Sequence, residues 1–243
     1  MDFTYEAYVE LIKLLKDKGY DFCSYLNYDK YKKTVIFRHD IDNSLEKALE
    51  IAKIEHENNI TSTFFVLLST NFYNVFSKES NDILKEIIAL GHEIGLHFDE
   101  KRYEISSIKE LEYWVVKESK VLEEALGEKV KSVSMHRPSK WILENDIYFE
   151  GIINSYSKKF LSDFKYLSDS RMHWREDVIA IVDSEVYDRL HILTHAFWYA
   201  DNNENMEEKL KKFIGDARKE RYYYLKDNIR DIEEIISEFN KKD

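Results

Sequence analysis

Short β-branched or aromatic runs alternate with longer amphipathic segments along this chain, and that alternation restricts the possible folds more than any other feature. Residues 34–39 (TVIFRH) read as a strand, because such side chains fit a pleated surface. Asn43 or Ser44 can then cap a helix with Leu45, Ala48, Leu49 and Ala52 on one face. Residues 60–68 (ITSTFFVLL) repeat the strand signal, and a helix over 81–90 follows, with Ile83, Ile87 and Leu90 inward and Gly91 as its stop. Residues 92–98 (HEIGLHF) predict the next strand. Ser107 with Glu110 forms a capping-box signal for a helix bearing Leu111, Trp114, Val115, Leu122 and Ala125, which Gly127 ends. Residues 130–136 (VKSVSMH) and 190–195 (LHILTH) predict clear strands, 151–156 and 164–167 weaker ones. An amphipathic helix closed by Gly19 opens the chain, and a helical stretch over 205–239 carries Ile229, Ile232, Ile236 and Phe239 on one stripe. Strands alternating with helices imply parallel pairing through right-handed crossovers. The predicted class is therefore α/β, a closed or nearly closed (β/α) barrel of about seven strands.

Composition narrows the rest. At roughly 150 residues per domain, 243 residues allow one domain or two. Six glycines and one proline leave little material for linkers, so we expect a single domain over 1–243, with its core over about 33–200 and a C-terminal helical extension over about 204–240. Thirty-six basic against forty-seven acidic residues give a net charge of -11, which argues against a nucleic-acid partner. Cys23, the sole cysteine, cannot form an internal disulfide and reads as a small buried hydrophobe. The first residues lack the basic and continuous apolar regions of a signal peptide, and no run approaches the ~18 apolar residues of a membrane span, so a cytoplasmic location is expected.

In a parallel barrel the active site forms where the C-terminal strand ends and their loops converge. Ionisable residues mark those ends: Arg38, His39, Asp40 and Asp42; His97 and Asp99; His136 and Arg137; and His195. Each alone has a plain structural reading, a strand-end Asp as a helix cap and a lone His as a hydrogen-bonded core group. Their convergence on one rim points to chemistry. Side-chain alternation places Asp40 and Asp42 on one face and His39 on the other, so the two carboxylates form the pair, one to bind a cation or share a proton and one to act as base. His92 lies about 16 Å from His97 along its strand and reads as structural. Ser132, Ser134 and His136 share one face, as do His191, Leu193 and His195, which makes His136 and His195 rim candidates.

These motifs, FRHDID at 37–42, TFF at 63–65, GHEIGLH at 91–97, HRPS at 136–139, YLSDS at 166–170 and LTH at 193–195, resemble in order those of the polysaccharide deacetylase (NodB-homology) family. The likeness covers about residues 33–200 and is nearest to a branch with an H-D-[IV]-D first motif, associated with surface-polysaccharide biosynthesis. It implies a distorted (β/α) barrel of about seven parallel strands, with an N-terminal helix and extra C-terminal helices here, that removes N-acetyl groups from amino sugars with one divalent metal, zinc by expectation. By the same resemblance Asp40 is the general base, Asp42 and His97 are metal ligands, Arg137 orients the base and His195 protonates the leaving amine. Asp169 and Trp174 resemble the outer shell around His195, and with Trp198 they are assigned to the substrate side.

One departure matters. The family's second histidine would fall at Lys101, whose ammonium cannot ligate a metal. His136 is the expected third ligand, with Asp99 as the alternative. The expected function is metal-dependent deacetylation of an amino-sugar-containing glycan precursor. The alternatives are a catalytically retired, sugar-binding barrel, for which Lys101 is the argument, and an HD-type phosphohydrolase, disfavoured because His39 and Asp40 end a β-branched run rather than sit on a helix.

Overall fold

Residues Thr34–Ile41 are buried without interruption and form the central strand of a parallel sheet covered on both faces. The structure, a computed structural model, describes residues 1–236. It falls into two compact units, residues 1–201 and the segment from Asn202 onward. In the first unit the order is α1 (Tyr5–Asp17), β1 (Asp21–Phe22), β2 (Thr34–Ile41), α2 (Leu45–Glu57), β3 (Thr63–Leu67), α3 (Lys78–Ala89), β4 (Glu93–Phe98) and α4 (Ile108–Leu126). It continues with β5 (Ser132–Met135), α5 (Lys140–Glu144), β6 (Ile153–Asn154), α6 (Lys158–Ser162), β7 (Lys165–Ser168), α7 (Val178–Ser184) and β8 (Arg189–Thr194). The second unit holds α8 (Met206–Asn228) and α9 (Ile232–Ile235).

The strands run parallel in the order β6-β5-β4-β3-β2-β8-β7, curled into a half-barrel, with β1 beside the start of β2. This bears out the α/β class and the distorted (β/α) barrel of about seven parallel strands, which is open between its edge strands. The edge strands β6 and β7 are two and four residues long and do not pair with each other. Because β3 meets β2 only from Arg38 onward, β1 pairs with Thr34 and Val35 ahead of it. Local signals explain the helix starts. Ser44, Ser77 and Ser107 each accept a backbone N–H at the head of α2, α3 and α4. Glu110 turns its carboxylate to the Ser106 backbone rather than to Ser107, so the predicted box is displaced by one residue.

The apolar core has two parts. The larger lies between the sheet and helices such as α1, α2 and α4, and includes Leu11, Ala48, Phe64, Leu96 and Val115. The smaller fills the inside of the half-barrel, where Ile36 and Phe65 meet Tyr25, Tyr28, Phe160 and Phe164. Cys23 belongs to this cluster, and burial raises its thiol pKa to about 12, consistent with an inert core residue.

Gly95 shows why β4 carries a glycine. A methyl group there would lie 2.5 Å from the Phe65 ring and 2.9 Å from Ser132 Oγ. Gly95→Ala should therefore cost about 1–3 kcal/mol of stability through overpacking, read from the urea midpoint. An unchanged midpoint would show that the Phe65 ring gives way freely.

His191 is fully buried inside the half-barrel. Its Nδ1 faces the Phe160 carbonyl at 3.1 Å, which can only accept, so Nε2 takes the Tyr25 hydroxyl at 2.7 Å and the ring is neutral. Burial, then the nearby Arg38 charge, lower its pKa to about 3. The unfolded chain binds this proton near the usual ~6.5, so this histidine's contribution is complete above pH 6.5 and is lost as pH falls toward 3. Relative to His191→Asn, wild-type protein should lose roughly 2 kcal/mol between pH 7 and pH 5. Parallel denaturation curves at both pH values check this, and equal losses in both proteins would contradict it.

In the second unit, Asn205 and Glu208 form a reciprocal capping box on α8. The predicted continuous helix breaks after Asn228, and Asp231 takes a left-handed conformation before α9. Ile232 is 1% exposed, but Ile229 and Ile236 are 40% and 41% exposed, so the predicted stripe is not a single buried face, and Phe239 lies outside the described residues. Among the described residues no helix is long and apolar enough to cross a membrane.

Candidate metal centre

The predicted alternation along β2 holds. Arg38 and Asp40 face the inside of the half-barrel, while His39 faces α2, where Glu55 meets its Nε2 at 3.0 Å. Glu55 also accepts the hydroxyls of Tyr8 and Ser62 at 2.6 and 2.5 Å. His92 contacts Ser62 and the Ala52 carbonyl, which fits its structural reading.

Asp42 follows the end of β2, its backbone held by Thr70 Oγ1, which donates to the Asp42 carbonyl at 2.9 Å. His97 Nε2 and His136 Nδ1 each lie 3.2 Å from Asp42 Oδ1, and 3.1 Å from each other. Ser134 Oγ donates its only proton to Asp40 Oδ1 at 3.3 Å, so it accepts from His97 Nδ1 at 2.6 Å. That assignment leaves His97 Nε2 with a lone pair aimed at Asp42. Burial pushes the Asp42 carboxyl up, but the adjacent His136 and His97 imidazoles outweigh it and hold the group far below the usual carboxylate range. Its Oδ1 is buried without a hydrogen-bond donor. One oxygen and two imidazole nitrogens, all within 4.8 Å of one another, make a donor set that fits a divalent cation.

Asp99 is outside this group. It caps a short turn, accepting from Lys101 N at 3.1 Å and from Arg137 at 3.1 Å. Lys101 stands on that turn and is exposed.

Asp40 is held by a residue to which the sequence reading gave no role. Arg38, fully buried, donates to Asp40 Oδ2 at 2.7 Å and to Ser155 Oγ at 2.9 Å, with its guanidinium 4.9 Å from the Tyr156 ring centre. Burial raises the Asp40 pKa, but Arg38, followed by His97 and His195, lowers it further, and the net shift is downward. Arg137, expected to orient Asp40, does not reach it. Its backbone turns at φ +50°, and its 62% exposed side chain pairs with Asp99 instead. The two-residue step from Arg38 to Asp40 was the available signal, since it puts both on one face.

His195 Nε2 lies 3.9 Å from Asp42 Oδ2, across the site, and its Nδ1 donates to Asp169 Oδ1 at 2.7 Å. Asp169 also accepts the His195 backbone N–H. Burial works against the charged imidazole, but Asp169, with Asp42 and Asp40 behind it, outweighs burial and raises the His195 pKa to about 9. Asp169 is fully buried and meets both the side chain and the backbone N–H of His195. Trp174 is buried and Trp198 half-buried, each with an indole N–H shielded from solvent and unpartnered.

Fold and site together define a parallel α/β half-barrel with a candidate cation-binding centre at the C-terminal ends of its strands. No protein-family model and no curated protein matches the chain. Among solved structures it is similar to a family 4 carbohydrate esterase from Bacillus anthracis, with 18% identity, a TM-score of 0.41, and coverage of 86% of this chain and 84% of that one. It is also similar to the peptidoglycan deacetylase PdaC from Bacillus subtilis, with 17% identity, a TM-score of 0.46, and coverage of 74% and 83%. A family 4 pseudoenzyme from Bacillus anthracis matches at 17% identity and a TM-score of 0.44, over 76% of this chain and 62% of that protein's length.

Proposed function

We propose that the chain is a metal-dependent amidohydrolase that removes the acetyl group from an amino-sugar unit of a glycan precursor. The observation that carries this reading is the placement of the Asp42, His97 and His136 donor set between a restrained carboxylate, Asp40, and a restrained imidazole, His195. Asp42, His97 and His136 would hold the ion, and their oxygen and nitrogen donors suit zinc. A zinc ion supplies Lewis acidity toward an amide carbonyl and lowers the pKa of water from 15.7 toward about 7.

The chain's own residues do the rest. Asp40, ionised beside Arg38, accepts the proton of the attacking water at its carboxylate. Ser134 ties Asp40 to His97 and keeps base and ligand in register. His195, with Nδ1 committed to Asp169, carries its labile proton on Nε2 and gives it to the departing amine. His136 as third donor favours this active reading over a retired barrel, because it supplies what Lys101 cannot. The surface-glycan role follows from the sequence resemblance and belongs to the same proposal.

Acetate release from an N-acetylglucosamine oligomer tests the reaction. The expected result is release that stops after removal of divalent ions with a chelator and returns when zinc is added. Release indifferent to chelation would overturn the metal dependence, and no release from any acetylated amino sugar would overturn the reaction.

A further inference from the structure

Two cations beside the metal centre take no part in the chemistry proposed above. Arg137 follows the donor His136, yet Asp40 is held by Arg38 and Arg137 turns to Asp99. Lys101 stands four residues after the donor His97, and its ammonium cannot join the donor set that His136 completes. Asp99 brings the two together. Its Oδ1 accepts from the Lys101 backbone and its Oδ2 from Arg137 Nη2, each at 3.1 Å, which ties the turn after β4 to the segment after β5. A depression of about 380 Å³ opens at this junction, lined by Leu68, Ser69, Asp99, Lys101 and Arg102.

The carboxylates of this rim are withdrawn and its cations are not. Asp99 is buried, and Glu100 accepts from the Ser139 backbone N–H and hydroxyl. Arg137 commits one nitrogen to Asp99 and leaves 62% of its side chain exposed. Lys101 is exposed, and its Nζ makes no ion pair among the described residues. The larger cavity between the loop after β3 and α4 has cations of another kind. Arg102, at the edge of both, reaches back to the buried Glu118 at 3.2 Å, and Lys117 lies 4.8 Å from the Trp114 ring centre. Those two are engaged with that wall, so Lys101 and Arg137 are the cations open to a ligand.

A planar guanidinium and a compact ammonium, presented by separate segments, suit an anion with oxygens in several directions. A carboxylate fills one guanidinium edge, whereas a phosphate can meet both groups. Position narrows the choice further. In a 2-acetamido sugar the anomeric carbon is bonded to the carbon that bears the amide, so an anomeric phosphate lies within one ring's width of the amide carbonyl. Arg137 and Asp99 stand one and two residues past the donors His136 and His97, which puts the depression next to the centre that takes that carbonyl.

We propose that the substrate is a glycosyl phosphate, an acetylated amino sugar with a phosphate or diphosphate at its anomeric carbon, and that Lys101 and Arg137 bind that phosphate. The inference rests on the deacetylase reading, whose substrate class it names.

Isothermal titration calorimetry of the intact protein with N-acetylglucosamine and with N-acetylglucosamine 1-phosphate tests it. The phosphate should tighten binding by about tenfold or more, a gain that shrinks as salt is added. Lys101→Gln and Arg137→Gln should each remove most of that gain. Neither residue belongs to the metal donor set, so a phosphate held by the metal ion alone would keep its full gain in both variants and overturn the proposal. Equal binding of the two sugars by wild type would also overturn it. Nucleoside-diphosphate and polyprenyl-diphosphate forms of the same sugar separate the possible carriers. The form that binds more tightly than the 1-phosphate identifies the carrier, and equal binding of all three places recognition in the phosphate alone. Acetate release from the 1-phosphate and from a neutral oligomer is followed alongside. Release with no phosphate preference sinks the phosphate site alone, whereas phosphate preference without release from either removes the deacetylase reading and leaves a sugar-phosphate binding site.

Discussion

Asp42→Ala and His97→Ala should each leave a folded protein that no longer retains metal and has lost about 10³-fold or more of its hydrolytic rate. Both residues stand at strand ends rather than in the apolar core. Asp42 Oδ1 has no donor of its own, so no structural hydrogen bond to that oxygen is lost with it. His97 is more buried, but its one hydrogen bond at Nδ1 goes to the Ser134 hydroxyl, which keeps its own donation to Asp40 when the imidazole is removed. Circular dichroism and the urea midpoint check the fold, and metal content with acetate release check the site. Full metal occupancy in either variant would mean that the ion is held elsewhere.

His195→Ala should lower turnover on an N-acetyl sugar by about 10²–10⁴, the usual range for a general acid, with metal content unchanged. Its geometry supports this split. The imidazole is anchored through Nδ1 to the buried Asp169, and Nε2 stands 3.9 Å from Asp42, near the donor set without belonging to it. An amine leaves only when protonated, but an activated aryl alcohol leaves as its anion. The variant should therefore be far less impaired on an activated acetyl ester. Equal losses on amide and ester would assign His195 to binding or structure.

Much of this was legible in the sequence because the strands obey a strict alternation. Once TVIFRH was read as a strand, Asp40 had to face away from His39, and the same rule put Ser134 beside His136 and both toward His97. His136 rather than Asp99 joins the donor set because the chain still follows the strand direction at His136, whereas at Asp99 it enters a turn whose direction alternation does not predict. The same limit explains Arg137. One residue past His136 its backbone takes φ +50°, which sends the side chain to Asp99 and leaves Asp40 to Arg38.

A fully buried arginine is rare enough that a single sequence gives little reason to expect one. Arg38 is stable there because Asp40, Ser155 and the ring of Tyr156 surround it. The helices α5 and α6 have five residues each and α7 seven, too short to show an apolar period. The distorted barrel of about seven strands was legible, but its open side was not, because strand count alone does not reveal that β6 and β7 stay apart.

The most direct test of the account is the metal content of freshly purified protein, measured by mass spectrometry for wild type, His136→Ala and Asp99→Ala. One divalent ion per chain in wild type and Asp99→Ala, with its loss in His136→Ala, is the predicted result. A wild-type protein that binds no ion even after zinc is supplied, or a His136→Ala variant that binds it as tightly as wild type, would contradict the proposed centre.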